Sequence, residues 1–355
     1  MLQTILLIII GVLFFSLVIF FHEFGHFFTA KLFKIRVNEF AIGMGPKIFS
    51  TEKGETKYSL RLLPIGGYCA MEGEDEDSDE DGAFNKKPVW QRMIVILAGA
   101  VMNILLGFIL MFIMIFPQEK FQTTTVSAFA ETSAMQDAGV QIGDKITKID
   151  EYAIYTIQDL SFSLLTMANP DSVQIEVKRD GKKIQFEDVK LNSSEAEDGK
   201  RIVRIDFAVE LQNRTIGNTI TRSVTDTLSM VRMVLESLKG MISGRFGLND
   251  MAGPVGTAQV ISEAATIGLK ESFGAAIRNI MFMIIVVTVN LGVVNLMPIP
   301  ALDGGRMIFL LFELIFRRPV PQKYEAWVHT GGFVLLMLFM LVITFNDIVK
   351  LVKGG

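Results

Sequence analysis

Four long stretches of the chain carry no charged side chain. They lie at 1–21, 93–116, 279–302 and 330–346. An α-helix rises 1.5 Å per residue, so the first three stretches are long enough for the roughly 30 Å hydrocarbon core of a bilayer. The fourth continues past Asp347 through further apolar residues. The pattern predicts four transmembrane helices with polar segments between them.

The first stretch also raises the alternative of a cleaved signal peptide. Such a peptide begins with basic residues and ends at a cleavage site of small residues. Here no charge precedes the apolar run, and the run continues into the sequence HEFGH at 22–26. We therefore interpret this stretch as a membrane span.

Lysine and arginine are unevenly distributed among the segments that join the spans. The segment 31–92 contains ten of them and 303–329 contains four, whereas residues 1–4 contain none and the tail after Asn346 contains two. Short loops rich in these residues stay in the cytoplasm, and long translocated regions are exempt from the rule. The bias predicts that both termini and the region 117–278 lie outside the cytoplasm.

The connection after the first span indicates β-structure followed by an acidic loop. Residues 39–71 contain short apolar stretches broken by glycine and proline, a pattern typical of β-hairpins. Backbone of this kind is tolerated at membrane depth only beside protein or a wet cavity. Residues 72–82 then contain eight acidic side chains in eleven positions, which predicts a solvated loop with nothing apolar to pack.

Between the second and third spans, the sequence predicts a small soluble domain and then an amphipathic helix. A helix is expected at 156–168, and alternation at 173–177 with a turn at 180–181 predicts two paired strands. Farther on, apolar residues recur at spacings of three and four, which indicates a helix with one apolar face: Val224, Leu228, Val231, Leu235, Leu238 and Ile242. Ordinary packing and contact with the outer membrane surface both explain this face.

The composition fits a membrane protein and excludes several other classes. Half of the 355 residues are hydrophobic and a fifth are charged, which is far too apolar for a disordered chain. The single cysteine, Cys69, excludes a disulfide scaffold. A formal net charge of −4 gives no reason to expect nucleic acid as a partner.

The sequence HEFGH contains the residues of a zinc site. His22 and His26 are four apart, so on a helix they project from one face and can bind one Zn²⁺ together. Glu23 can reach a water molecule on the same ion, whose pKa the metal lowers towards about 7, and accept its proton as the hydroxide attacks a carbonyl. Ionisable groups at the end of an apolar helix are costly, and they indicate function.

A catalytic zinc site usually has three protein ligands and one open position. Leu32 occupies the position of the third histidine in an extended metzincin pattern, and Glu39, Glu52 and Glu55 lie in the glycine-rich segment. The remaining candidate is Asp303, which follows two prolines that break the third span. A broken membrane helix can present a carboxylate to a buried metal. The alternative is that Asp303 only caps the helix that follows.

Several motifs of the chain resemble those of one known family. The chain resembles the site-2 protease family of intramembrane zinc metalloproteases, within it the bacterial regulator of sigma E protease type. The resemblance rests on HEFGH at 22–26, AIGMGPKIF at 41–49, PIGGYCAM at 64–71, LAGAVMN at 97–103, GPVG at 253–256 and NLGVVNLMPIPALDGG at 290–305. Ala100 and Cys69 depart from the residues common in the family, proline and valine.

The resemblance implies the roles of particular residues. His22, His26 and Asp303 are expected to be the zinc ligands and Glu23 the catalytic base. Asn290, Asn295, Pro298 and Pro300 match family positions, and the asparagines are expected to handle substrate. Asn103 also matches, and we expect it to pack between helices. His329 is expected to lie at the membrane interface.

The implied fold is a four-span α-helical membrane protein with a membrane-associated β-hairpin segment and one extracytoplasmic PDZ-like α+β domain. The expected segments are 1–30 (first span), 31–92 (hairpin and acidic loop), 93–116 (second span), 117–210 (PDZ-like domain), 211–278 (amphipathic helices with GPVG), 279–305 (third span), 306–328 (cytoplasmic loop) and 329–351 (fourth span). The implied location is a bacterial cytoplasmic membrane.

The implied function is intramembrane proteolysis with Zn²⁺ as cofactor. Expected partners are the lipid bilayer, an upstream site-1-type protease and single-span membrane substrates such as anti-sigma factors or remnant signal peptides. The alternative is a non-proteolytic membrane scaffold or metal carrier, which needs the ligands but not Glu23. A third interpretation is a protease whose active site lies in water and whose helices only anchor it to the membrane. The position of Asp303 in a span argues against this interpretation.

Overall fold

The computed structural model describes residues 2–167, 169–195, 201–247 and 250–353. In this part of the chain the helices are α1 (Leu2–Leu32), α2 (Val89–Ile115), α3 (Ala134–Asp137), α4 (Ile157–Leu165), α5 (Ile216–Ile242), α6 (Pro254–Glu271), α7 (Phe273–Asn295), α8 (Asp303–Phe316) and α9 (Gln322–Lys353). By length and composition, α1, α2, α7 and α9 can cross a membrane. The four spans expected from the apolar stretches are thus present as helices.

The strands of the described residues fall into three sheets. They are β1 (Val37–Lys53), β2 (Thr56–Met71), β3 (Lys120–Phe129), β4 (Lys145–Ile149), β5 (Tyr152–Ala153), β6 (Val173–Arg179), β7 (Lys182–Val189), β8 (Ser193–Glu195), β9 (Arg201–Val203) and β10 (Phe207–Asn213). β1 pairs with β2, β8 pairs with β9, and the others form one sheet in the order β10-β3-β4-β6-β7, with β5 beside β4. The chain divides into two compact units, one formed by Met111–Met233 and the other by the segments before and after it.

The β1–β2 sheet, predicted from the glycine-rich pattern, folds back on itself. Residues 39–42 pair on one side with 57–60 and on the other with 67–70. The bends fall at glycines with left-handed backbone, where Gly43, Gly45 and Gly66 have φ values of +83°, +82° and +84°. Among the described residues the segment 67–71 has a partner strand on one side only, so it is an edge of this sheet.

The two ends of this sheet differ in what they pack against. Phe40, Cys69 and Met71 are buried in a core to which the α1 residues Phe24 and Phe27 also contribute. Farther from α1, large apolar side chains of the sheet are exposed: Met44, Ile48, Phe49, Leu60, Leu62 and Leu63. The sheet is therefore anchored on α1 at one end and presents an apolar surface at the other.

The unit Met111–Met233 has its own core beneath the five-strand path. Val126, Ile146, Ile175 and Val177 are fully buried there. The helix expected at 156–168 is present as α4, which begins with a capping box between Thr156 and Asp159. The two strands expected on either side of the turn at 180–181 are present as β6 and β7. This unit is a compact α+β arrangement.

Helix α5 has an apolar stripe that is exposed. Val224, Leu228, Leu235 and Ile242 are 42%, 56%, 48% and 84% exposed. The buried side of its first half is polar, with Thr219, Ser223, Asp226, Thr227 and Ser229 all at most 3% exposed. The first half of α5 therefore packs mainly through its polar side, and these four apolar side chains of the stripe remain exposed.

The segments after the first and third spans contain contacts and structure that composition did not indicate. Residues 306–316 of the segment 306–328, which was expected to be a connecting loop, belong to the helix α8 that begins at Asp303. The acidic segment 72–82 is a loop with mostly exposed side chains, and within it Glu74 and Asp75 form ion pairs with Arg306 of α8, the second at 2.7 Å. Composition alone did not reveal these pairs because the basic partner lies 231 positions away from Asp75.

Candidate active site

Helix α1 brings the two histidines of HEFGH together. His22 and His26 are one helical turn apart, and their Nε2 atoms are 3.3 Å from each other. Both side chains are buried. The spacing of four residues on α1 therefore directs the two Nε2 atoms to one point, as the sequence predicts.

Asp303 reaches the same point from another segment. Helix α7 ends at Asn295, the loop with Pro298 and Pro300 follows, and Asp303 begins α8. Its Oδ2 atom lies 3.3 Å from Nε2 of His22 and 3.5 Å from Nε2 of His26. The prolines break the helix, as predicted, because their rings cannot continue the helical hydrogen bonds.

Glycines after Asp303 let this loop fold closely over the start of α8. A Cβ atom on Gly304 would lie 2.2 Å from the carbonyl oxygen of Met297, and one on Gly305 would lie 2.4 Å from that of Ile299. Side chains at these positions would displace the loop. The GG pair therefore fixes where the aspartate stands.

The three residues fit a metal ion. One ligand atom from each of His22, His26 and Asp303 lies within 4.8 Å of the others. Apart from the two imidazoles, the buried Oδ2 atom of Asp303 has no polar partner among the described residues. Two histidine nitrogens and one carboxylate are a donor set of catalytic zinc sites, which leaves a position open for water or substrate.

The other ring nitrogens of the histidines have polar partners. Nδ1 of His26 lies 2.8 Å from the carbonyl oxygen of Val95, and a carbonyl can only accept, so this Nδ1 carries the hydrogen. The Nε2 atom of His26 is thereby left with a lone pair directed to the metal position. Nδ1 of His22 lies 3.3 Å from the side-chain amide of Asn103.

The carboxylates considered as alternative third ligands do not join this group. Glu39 accepts hydrogen bonds from Ser59 at 2.6 Å and Arg61 at 3.1 Å. Burial alone would raise the pKa of Glu39, but these bonds and one from Tyr68 lower it to about 2. Glu55 pairs with Lys31 at 2.7 Å. Of the candidates weighed from sequence, Asp303 is the one that meets both histidines.

Glu23 stands between the histidines and the edge of the β1–β2 sheet. A Cβ atom on Gly67 would lie 3.2 Å from Cγ of Glu23, so the edge segment 67–71 passes directly beside this side chain. Glu23 is therefore held next to both the metal position and an unpaired strand edge.

The four residues that were expected to contact substrate differ in their solvent exposure. Asn295 is buried, and its side-chain amide is 3.3 Å from Nε2 of His22. Asn290 and Pro298 are exposed, and Pro300 is partly buried. The structure therefore brings Asn295 to the candidate site and leaves Asn290 on the surface of α7.

Ion pairs connect α8 to other segments of the chain. Arg306, one turn after Asp303, binds Glu74 and Asp75. Burial raises the pKa of Glu74, and the nearby Arg306 acts in the opposite direction. Arg92 and Glu313 form a further pair at 2.5 Å. These pairs tie the acidic segment and α2 to α8.

Comparison with known proteins shows the family of the chain. The profile of "Peptidase family M50" matches residues 10–339. A protein of Fusobacterium nucleatum is 36% identical over 349 residues, which is 97% of this chain and 98% of the relative. "Zinc metalloprotease RasP" of Shouchella clausii is 28% identical over 422 residues, with 95% and 97% covered. "Regulator of sigma-W protease RasP" of Bacillus subtilis is 29% identical over 427 residues, with 97% and 98% covered.

The match to the family covers most of the chain, including both segments that carry the candidate ligands. Relatives that align with nearly their whole length to this chain bear the name of a zinc metalloprotease. The helices are those of an integral membrane protein. The chain therefore belongs to peptidase family M50 and is a membrane-embedded zinc metalloprotease of the site-2 protease type.

Proposed function

We propose that the chain is an intramembrane endopeptidase in which His22, His26 and Asp303 hold Zn²⁺ and Glu23 is the general base. The observation that carries the proposal is the convergence of three ligand atoms, from α1 and the start of α8, within 4.8 Å of one another. Helix α1 is a candidate membrane span, so amide hydrolysis would occur at membrane depth.

Glu23 performs the proton transfers in this proposal. Zinc bound at the site would activate water and polarise the scissile carbonyl. Glu23 would take the proton from the attacking water and deliver it to the leaving amide nitrogen, a role that carboxylates fill by general acid–base catalysis.

A transmembrane substrate hides its peptide bonds in helical hydrogen bonds, and opening them in lipid leaves costly unsatisfied groups. The edge segment 67–71 offers unpaired backbone groups next to Glu23. An extended substrate segment could pair with this edge by strand addition. The exposed apolar side chains at the other end of the sheet, including Phe49 and Leu62, suit an element immersed in lipid.

The asparagines of α7 would take part in holding the opened substrate. The Asn295 amide can donate and accept hydrogen bonds, and its position beside His22 places it near the scissile bond. Asn290 faces outward five residues earlier, so it would contact substrate farther from the cut. The alternative for each asparagine is an interhelical hydrogen bond worth about 1 kcal/mol.

The expected substrates are single-span membrane proteins such as anti-sigma factors or remnant signal peptides. The name of the Bacillus subtilis relative connects that protein to sigma-W, which supports the anti-sigma class. The lysine and arginine bias favours an extracytoplasmic position for both termini and for the PDZ-like unit. We infer that this unit excludes substrates whose outer domains have not been trimmed by an upstream site-1-type protease.

A paired comparison of the wild-type protein with Glu23→Gln in membranes tests the catalytic proposal. Zinc content and cleavage of a tagged single-span substrate are measured for each, with Glu52→Gln on the exposed end of β1 as the matched control. We expect Glu23→Gln to retain zinc and to lose activity by roughly 100- to 10,000-fold, as for removal of a general base. Cleavage unaffected with zinc retained would exclude Glu23 as the base and favour a metal carrier or scaffold.

The role of the asparagines needs two substrates. The double variant Asn290→Ala with Asn295→Ala is assayed on a helical membrane substrate and on an unstructured peptide with the same cleavage sequence. We expect a larger loss on the helical substrate, because only that substrate needs replacement hydrogen bonds. Normal cleavage of the helical substrate with poor cleavage of the peptide would contradict this role.

A further inference from the structure

His329 of α9 contacts the loop that carries the aspartate. Its Nδ1 atom accepts a hydrogen bond from the backbone N–H of Ala301 at 3.0 Å. Ala301 stands two residues before Asp303 and does not belong to any helix or strand. The fourth span is thereby connected to the segment that presents the third candidate ligand.

Ala301 has an unusual backbone conformation. Its φ is +75°, in the left-handed region, where a residue with a Cβ atom is strained. Such conformations persist only when surrounding structure holds them, and they cluster at functional sites. The hydrogen bond to His329 is one such constraint, because it fixes the direction of the Ala301 N–H.

A second contact from α9 holds the neighbouring residue. A Cβ atom on Gly332 would lie 2.2 Å from Cβ of Pro300 and 2.9 Å from its carbonyl carbon. Helix α9 therefore lies so close to this loop that no side chain fits between Gly332 and Pro300. Pro300 and Ala301 are both held from the same helix, by a glycine and a histidine one turn apart.

The imidazole of His329 is itself well constrained. Because Nδ1 accepts from a backbone N–H, the ring hydrogen is on Nε2. The Nε2 atom is buried and has no hydrogen-bond partner among the described residues, and the nearest carboxylate oxygen, on Glu325, is 3.9 Å away. Phe309 of α8 packs on the ring at a centroid distance of 5.6 Å. The hydrogen bond from Ala301 to Nδ1 is therefore the polar contact through which His329 acts on this loop.

We propose that His329 is a positioning residue that holds Ala301 in its left-handed conformation and so presents the Asp303 carboxylate to His22 and His26. The proposal rests on the metal site proposed above. In this proposal α9, the fourth span, fixes the position of the candidate ligand Asp303, which follows the third span. Groups that orient a metal ligand typically change metal affinity by 10- to 100-fold when they are removed.

The test is zinc affinity of the purified full-length protein in detergent, measured by competition with a chromogenic chelator. We expect His329→Gln to weaken zinc binding about 10- to 100-fold, because glutamine cannot place an acceptor where Nδ1 stands. His329→Asn, whose Oδ1 atom can reach that position, should stay within about threefold of the wild-type protein. Both variants carry an amide, so equal losses would show that only packing matters and would overturn the proposal.

Ala301→Gly provides an independent test. Glycine adopts a φ of +75° without strain, so the constraint from His329 becomes less important. We expect His329→Gln to weaken zinc binding by no more than about threefold in the Ala301→Gly background, a coupling that a double-mutant cycle measures. Equal losses in both backgrounds would show that His329 does not act through Ala301.

Asp303→Ala separates this inference from the proposed function. If Asp303→Ala binds zinc as tightly as the wild-type protein, the metal site itself is wrong. If Asp303→Ala loses zinc while His329→Gln does not, the metal site stands and the positioning role of His329 is wrong. Thermal unfolding of each variant confirms that the proteins compared are folded.

Discussion

The backbone of Gly99 in α2 lies against the imidazole of His26 in α1. A Cβ atom on Gly99 would be 2.3 Å from Nε2 of His26 and 2.7 Å from Cε1 of His22. Close approach of the two helices continues at Gly25, where a Cβ atom would be 2.4 Å from the carbonyl oxygen of Ala98. The room for the two imidazoles is therefore made by glycines on both helices.

Gly99→Ala should abolish zinc binding. The added methyl group would meet the ring nitrogen that faces the metal position, so the imidazole of His26 or the helix α2 would have to move. We expect zinc affinity to fall by more than about 100-fold, beyond the loss typical of outer-shell groups. The measurement is chelator competition with the purified protein.

Gly11→Ala is the matched control for this substitution. Gly11 lies on α1 with nothing within 4 Å of the position of its Cβ atom, so alanine should be accepted there with unchanged zinc affinity. A Gly99→Ala protein that binds zinc as the Gly11→Ala protein does would contradict the geometry of the site.

Asn103 should matter for zinc through His22. The Nδ2 atom of Asn103 lies 3.3 Å from Nδ1 of His22, while its Oδ1 atom is buried without a hydrogen-bond partner in the described part of the chain. Rotating the amide of Asn103 places Oδ1 where Nδ2 lies, and Oδ1 then accepts the Nδ1 hydrogen of His22. We expect Asn103→Leu to weaken zinc binding about 10- to 100-fold, as measured by chelator competition.

Thr288→Val is the control for Asn103→Leu. Thr288 donates a hydrogen bond to the backbone carbonyl of Asn103 at 3.2 Å, so its loss disturbs the same helix contact without touching the histidine. Equal zinc affinities of the Asn103→Leu protein and the wild-type protein would show that the asparagine only packs between helices, as its sequence context suggested.

The candidate ligand set could be named from the sequence because its signals are local. The spacing of His22 and His26 predicts that both side chains lie on one face of a helix. The prolines before Asp303 predict that the helix ends ahead of this residue. The residues that orient these ligands could not be predicted in the same way. The Val95 carbonyl has no sequence signature, and the roles of Gly99 and His329 depend on how closely α1, α2 and α9 approach the site.

The surfaces of the protein show a similar limit. The apolar spacing in α5 predicted the helix but left open which side is buried, and the structure buries Ser223 and Asp226 while Leu228 is exposed. The choice depends on polar partners in other segments of the same unit, such as Asp159, which accepts a hydrogen bond from Ser229 at 2.8 Å. Such partners are distant in sequence, so hydrophobic periodicity alone does not find them.

The GPVG motif at 253–256 is explained by Asp347 of α9, and this contact should stabilise the fold. Asp347 is buried, and its carboxylate accepts a hydrogen bond from the backbone N–H of Gly256 at 2.7 Å, at the start of α6. A Cβ atom on Gly253 would lie 2.8 Å from the same carboxylate. Carboxylates at helix N-termini satisfy free N–H groups and favour the helix dipole.

Asp347→Ala should lower the free energy of unfolding by about 2 kcal/mol, because it leaves a buried N–H group without an acceptor. Asp347→Asn keeps an acceptor and should cost less. Thermal unfolding in detergent measures both, with Val352→Ala, an exposed position on the same helix, as the neutral control. An Asp347→Ala protein as stable as the Val352→Ala protein would contradict the capping role.

Asp226 of α5 should make the stability of the unit Met111–Met233 depend on pH. The residue is 1% exposed, and burial raises its pKa from 3.8 to about 6, against the opposing effect of Arg222, which donates to it at 2.8 Å. The charge of Asp159 raises the pKa further. A carboxyl whose pKa is raised by folding favours the folded state when protonated, so its contribution is lost as pH rises from about 4 through about 6.

The expected change follows from the size of the shift. At about 1.36 kcal/mol per pKa unit, a pKa raised from 3.8 to about 6 corresponds to a loss on the order of 2 to 3 kcal/mol across that interval. Calorimetric unfolding of the full chain at several pH values measures it. Asp226→Asn stays neutral, so we expect a flatter pH profile between about pH 4 and pH 7 than for the wild-type protein. Parallel profiles for the two proteins would show that Asp226 does not titrate in this range.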